Sequence, residues 1–114
     1  MKDSSEFSQT AMADSATEAA SYLRILSNPA RLLLVCQLVD GPKCVGELED
    51  ALELGQAYVS QQLARLRNEG LVTATKEGRI VTYSLADERV VTLVGVLYDL
   101  FCAQPDRDDA QNHA

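Results

Sequence analysis

The sequence predicts a mainly α-helical fold with one small β-hairpin, ordered helix, helix, helix, helix, hairpin, helix. Three observations carry that reading. Apolar residues recur at helical spacing through the first two thirds of the chain, as Val59, Leu63 and Leu66 do at i, i+4 and i+7. The period then drops to two across Leu71 to Thr75 and Ile80 to Leu85, stretches rich in Val, Thr, Ile and Tyr. Helical spacing returns at Val90, Val91, Leu93, Val94, Val96, Leu97, Leu100 and Phe101, which leave almost no polar face.

Residues 1–13 hold few large apolar side chains and are expected to be disordered. A first helix is expected from Asp14 to Ser27, with Ala19, Tyr22, Leu23, Ile25 and Leu26 as its apolar positions. Asn28-Pro29 is a helix start, because Asn accepts from the first turn and Pro at N1 loses no bond. The second helix runs from Pro29 to Val39, where Asp40-Gly41-Pro42 stops it. The third spans Val45 to Leu52, with Val45, Leu48 and Leu52 on one face and Glu47, Glu49, Asp50 and Glu53 in water. Glu53-Leu54-Gly55 makes a short turn containing the glycine expected there. The fourth helix runs from Gln56 to Glu69, and Gly70 supplies a left-handed cap. Lys76-Glu77-Gly78-Arg79 joins the two strands, with its glycine in the turn. The last helix covers Asp87 to Cys102. A chain of 114 residues can hardly bury so apolar a helix alone, which predicts a homodimer. One domain is expected over residues 14–103, followed by an acidic, disordered tail at 104–114.

The net charge of −7 argues against a protein that coats nucleic acid, but its distribution matters more. The acid is peripheral. From Leu54 to Tyr83, Arg65, Arg67, Lys76 and Arg79 outnumber Glu69 and Glu77. That suits a DNA reader with modest phosphate contact. No apolar run approaches the roughly 20 residues of a membrane span, and the N-terminus lacks a secretory h-region. A cytoplasmic protein with no membrane partner is expected. There, an odd count of three cysteines argues against a structural disulfide framework. No nucleophile–base pair or phosphate loop is present, so no enzyme and no cofactor are expected.

The element order is that of a winged helix-turn-helix. Its recognition helix enters the major groove of double-stranded operator DNA with its N-terminal residues on base edges. Here those are Gln56, Tyr58, Ser60 and Gln61. Gln can pair bidentately with adenine, and Ser can bond to base or phosphate. Arg65 lies further along the helix, within reach of a phosphate, and the hairpin offers Lys76 and Arg79. From spacing alone, a solvated polar helix face remains open.

Particular words of the sequence narrow the choice. Leu26-Ser27-Asn28-Pro29-Ala30-Arg31-Leu32, then Val45-Gly46-Glu47-Leu48, then Val59-Ser60-Gln61-Gln62-Leu63-Ala64-Arg65-Leu66-Arg67-Asn68-Glu69-Gly70-Leu71-Val72 resemble the ArsR/SmtB family of small dimeric repressors. The similarity spans roughly residues 18–102. It implies that the helix starting at Gln56 reads DNA, that the hairpin is the wing, and that the first and last helices build the dimer.

The resemblance also bears on the inducer. One metal site of that family uses a Cys-x-Cys pair at the start of the third helix. Cys44-Val45-Gly46 keeps the first cysteine and replaces the second with glycine. A thiophilic metal needs at least two soft ligands. Another site uses Asp and His on the last helix, which here holds Asp87, Glu88 and Asp99 but no His. The one histidine, His113, falls in the tail. No metal site is therefore expected. Cys36 in Leu34-Val35-Cys36-Gln37, and Cys102 after Leu100-Phe101, instead resemble the dithiol subgroup of sulfide- and persulfide-responsive repressors. In that subgroup the matching cysteines become joined by a polysulfide bridge and DNA is released. This implies reactive sulfur species as inducer, derepression of sulfide detoxification, and a bystander role for Cys44. Two alternatives stay open: a peroxide or general thiol-redox sensor using the same pair, and a dimeric winged-helix interaction module whose cysteines only pack.

Overall fold

The computed structural model describes residues 7–102. Five helices and three strands follow in the order α1 (Gln9–Leu26), α2 (Pro29–Val39), β1 (Lys43–Cys44), α3 (Val45–Leu52), α4 (Gln56–Asn68), β2 (Val72–Glu77), β3 (Ile80–Leu85) and α5 (Glu88–Phe101). The sheet order is β1-β3-β2, antiparallel throughout, with Glu77 opposite Ile80 and Cys44 opposite Thr82. This is a winged helix-turn-helix, mainly α with a small hairpin. No helix among the described residues is long and apolar enough to cross a membrane.

The core forms where α2, α3, α4 and α5 meet. Leu34, Val35, Leu48, Val59, Leu63, Leu66 and Val90 lose all contact with solvent. Each such side chain contributes about 1.5–3 kcal/mol by burial. On α4 the buried residues are Val59, Leu63 and Leu66, the i, i+4, i+7 stripe expected from the sequence. At its C-terminus the Leu71 N–H bonds to the Leu66 carbonyl at 3.0 Å and the Gly70 N–H to that of Arg67 at 3.0 Å. This Schellman cap needs a left-handed residue, and Gly70 takes φ 83. It also drops Leu71 into the core against the helix it ends.

Several local expectations are corrected. α1 begins at Gln9 rather than Asp14, because the Ser8 side chain accepts the Ala11 N–H at 3.1 Å and caps it. Its first three turns are exposed, and only Ile25 and Leu26 join the core, so no apolar stripe marked that start. The expected turn at Glu53-Leu54-Gly55 does separate α3 from α4; within it Glu53 is left-handed (φ 56), and Gly55 is extended (φ −68) and precedes α4 as its N-cap. β2 continues through Glu77, which leaves a two-residue turn of Gly78 and Arg79. The two-residue strand β1, unforeseen in the sequence, closes the far edge of the sheet. Residues 1–6 and 103–114 lie outside the described residues, with the whole of the expected tail, His113 included, among them.

Candidate DNA interface and dithiol site

α4 presents its polar side outward. Tyr58, Gln61 and Arg65, spaced i, i+3 and i+7, share the exposed face opposite the buried stripe, and Gln56 is exposed in the first turn. Ser60 is only half exposed, at the flank of that stripe. On the hairpin, Lys76 and Arg79 are both exposed, Arg79 in the turn itself. The Thr73 and Ser84 hydroxyls, 3.2 Å apart, tie the base of the two strands. The face therefore holds six of the seven expected DNA contacts in the open and Ser60 at its edge.

Gln62, the neighbour of Gln61, points elsewhere. Its side-chain oxygen accepts from Arg31 Nη1 on α2 at 2.8 Å. Arg31 Nε donates to the Ile25 carbonyl at 2.7 Å, and the Arg31 N–H is bound by the Asn28 side chain. Sequence reasoning did not single out this pair. Its one local sign was that Gln62 adjoins buried Leu63.

The two cysteines singled out in the sequence sit on facing helices. α2 buries Ala30, Leu34, Val35 and Leu38 and leaves Cys36 exposed. Cys102 follows the last turn of α5, its N–H bonded to the Tyr98 carbonyl at 2.7 Å, and its side chain is exposed. Cys36 reaches solvent yet is partly shielded by its neighbours, and that partial burial first, and then Cys102, pushes its thiol above its ordinary pKa. A cavity of about 610 Å³ opens beside Cys36 between α2 and α5, lined by Val39, Val91, Val94 and Tyr98, with carboxylates from Asp40 and Asp99. All three cysteines are free thiols.

Cys44 is held apart from this pair. It pairs with Thr82 in the sheet and stands at the head of α3, where its N–H donates to the Glu47 carboxylate at 2.9 Å. That bond, with the thiol beside it, holds the Glu47 carboxyl below the usual carboxylate range. Lys43 Nζ caps the Gln37 carbonyl near the end of α2 at 2.9 Å. Among the described residues, no three His, Cys, Asp or Glu side chains gather as a metal-binding group.

A third cluster pins α5 to α1. Asp87 caps α5 and binds the Arg89 guanidinium at 2.8 Å, and Arg89 also reaches Glu18 at 3.2 Å. Arg89 lies over the Tyr22 ring, 5.1 Å from its centroid. The Tyr22 hydroxyl is buried beside Asp87 without a well-formed hydrogen bond; burial and then that carboxylate push it up to about 12.

The profile described as bacterial regulatory protein, arsR family, matches residues 28–74. The biofilm growth-associated repressor of Xylella fastidiosa (strain 9a5c) is 45% identical over 89 residues, covering 78% of this chain and 78% of the relative. The chain belongs to the ArsR family. Among solved structures, the transcriptional repressor BigR from Xylella fastidiosa superposes with a TM-score of 0.82 at 42% identity, covering 86% of this chain and 100% of that one. Reduced HlyU from Vibrio cholerae N16961 superposes with a TM-score of 0.75 at 38% identity, covering 80% and 96%. The protein is a transcriptional repressor of the ArsR type with a DNA-binding winged helix-turn-helix, and not an enzyme.

Proposed function

We propose that the protein is a homodimeric, cytoplasmic repressor that releases its operator when reactive sulfur species join Cys36 to Cys102 through a polysulfide bridge. The observation that carries this reading is that both thiols are free and exposed where α2 packs against α5, with an open cavity beside Cys36. Tyr58, Gln61 and the edge residue Ser60 would meet base edges, with Gln56 at the entrance to the groove. Arg65, Lys76 and Arg79 would meet phosphates. The dimer is supported by apolar side chains left in the open along α1 and α5: Leu23, Val96, Leu100 and Phe101 are 47–74% exposed in the single chain.

The chemistry balances with an organic persulfide, RSSH, as the only reagent. The Cys36 thiolate attacks the outer sulfur and expels RS⁻, which leaves Cys36 as a persulfide; Cys102 reacts in the same way. Joining the two persulfides as a tetrasulfide removes two electrons and two protons. A third RSSH accepts them and is cleaved to RSH and H₂S. Each added sulfur lengthens the link by about 2 Å, so a pair set too far apart for a disulfide can still close through a longer chain.

Mass spectrometry of the reduced protein tests the reading. A persulfide donor, a disulfide-forming oxidant and hydrogen peroxide are applied in parallel, and the mass of a Cys36–Cys102 cross-link is read. Extra sulfur atoms in that link with the donor alone, together with loss of operator binding, are expected. An equal response to peroxide would make the protein a general redox sensor. No link under any reagent would leave the cysteines as packing residues.

A further inference from the structure

Arg31 bonds across three elements at once. It belongs to α2, its Nε holds the Ile25 carbonyl in the last turn of α1, and its Nη1 holds Gln62 on α4. Both bonds are short and partly buried. A guanidinium only donates, so the Gln62 amide is fixed with its oxygen toward α2. Cys36 follows five positions later on the same helix, about 7.5 Å along its axis. Gln62 directly follows Gln61, whose side chain faces outward for DNA. Elsewhere α2 and α4 meet through the shared aliphatic core, whose contacts carry no direction and tolerate small slides. The Arg31–Gln62 bond is directional and weakens steeply when misaligned.

We propose that Arg31 is a positioning residue that transmits the state of the Cys36–Cys102 pair to the recognition helix through Gln62. The proposal rests on the sulfur-sensing reading above. Linking Cys36 to the end of α5 pulls on α2 as a rigid rod. Arg31 moves with it while still tethered to α1, and Gln62 draws α4 out of the orientation that suits the major groove. In the reduced protein the same bond holds α4 in its reading orientation.

The test uses the full-length dimer and measures operator affinity twice, reduced and after complete bridging by a persulfide donor, with bridging verified by mass. The readout is the ratio of the two affinities. Wild type is expected to lose at least about tenfold on bridging. Gln62→Met, close in shape but without the carbonyl acceptor, is expected to shrink the ratio to within about threefold. Gln62→Glu restores an acceptor for the guanidinium and is expected to restore the ratio. Where Gln62→Met fails to fold, Arg31→Lys removes the forked geometry and is expected to shrink the ratio in the same way. A purely structural role would lower thermal stability in these variants and leave the ratio unchanged, and that result overturns the relay alone. A wild-type ratio near one overturns the sulfur reading, and the relay with it.

Discussion

Cys36 on α2 and Cys102 at the end of α5 lie on two helices that pack together, and partial burial, with Cys102 adding to it, holds the Cys36 thiol above its ordinary pKa. The folded protein therefore keeps the Cys36 proton more tightly than the unfolded chain. This contribution to stability is intact at neutral pH and is lost as pH rises through the folded value. Reactivity runs the other way, since only the thiolate attacks. Cys102→Ser removes the neighbouring charge and leaves the burial. Its Cys36 is expected to alkylate with a pH midpoint lower than wild type yet above that of a free thiol. Iodoacetamide labelling rates across pH, followed by mass spectrometry, measure this. An unchanged or higher midpoint would mean the two thiols do not sense each other.

The three cysteines should separate cleanly by function. Cys44 is engaged at the head of α3, where its N–H is taken by Glu47, and it does not line the cavity beside Cys36. Cys44→Ser is expected to retain the inducer response. Cys36→Ser and Cys102→Ser are each expected to bind operator and ignore the persulfide donor. Operator titrations with and without donor decide it. An equal loss of response in Cys44→Ser would bring Cys44 into the sensing site.

On the DNA face, Gln61→Ala is expected to weaken operator binding by about 1–3 kcal/mol and to relax the preference at one base pair. Arg65→Ala, Lys76→Ala or Arg79→Ala should weaken all sequences alike and reduce the salt slope by about one each. Ser60 is half-buried, so Ser60→Ala should cost less than Gln61→Ala. Titrations on specific and scrambled duplexes at several salt concentrations distinguish these effects. Gln61→Ala with unchanged affinity and preference would remove it from the reading set.

How much of this was legible in the sequence depended on how local the cause was. α2 and α3 match their expected limits to the residue, because Asn28-Pro29, Asp40-Gly41-Pro42 and the Val45/Leu48/Leu52 spacing act within a turn or two. β1 exists only through pairing with β3 about 40 positions later, and two residues carry no period of their own. Glu53 took the left-handed conformation as the residue that ends α3, with its N–H on the Glu49 carbonyl, while Gly55 serves as the extended N-cap of α4. Cys36 and Cys102 were legible through the family resemblance; that their helices, α2 and α5, pack together needed the fold. Gln62 differed from Gln61 in the sequence only by its place next to Leu63, since the partner that turns it inward lies 31 positions away.

The cap of α5 makes a pH-dependent contribution whose sign is fixed. Arg89, through its guanidinium and its own N–H, draws the Asp87 carboxyl down to about 2. A depressed carboxylate stabilises the fold above its unfolded pKa of about 4, and that stability is lost as pH falls toward the folded value. Wild type is therefore expected to lose thermal stability between about pH 4 and pH 2. Asp87→Asn keeps an N-cap oxygen and loses the titration. Its melting temperature should start lower at neutral pH and fall less across the same window. Parallel slopes for the two proteins would show that other carboxylates govern acid unfolding.

The exposed side of α5 should fail as an interface when a charge is placed on it. Only Val90 and Val94 of that helix enter the core, while Val96 is 47% exposed beside half-buried Leu93. Leu93 also borders the groove against α1, next to Leu23, which is 57% exposed. An apolar strip along two neighbouring helices of one chain fits a second copy related by a two-fold axis, since each copy offers the same strip. A carboxylate at Val96 would then be buried without a partner, which interfaces tolerate poorly. Val96→Glu is expected to shift the protein from dimer to monomer in sedimentation while its helical circular dichroism is kept. A two-fold operator needs both reading heads, so the variant should also lose specific binding to a two-half-site duplex. A variant that stays dimeric and binds normally would place the interface on another face.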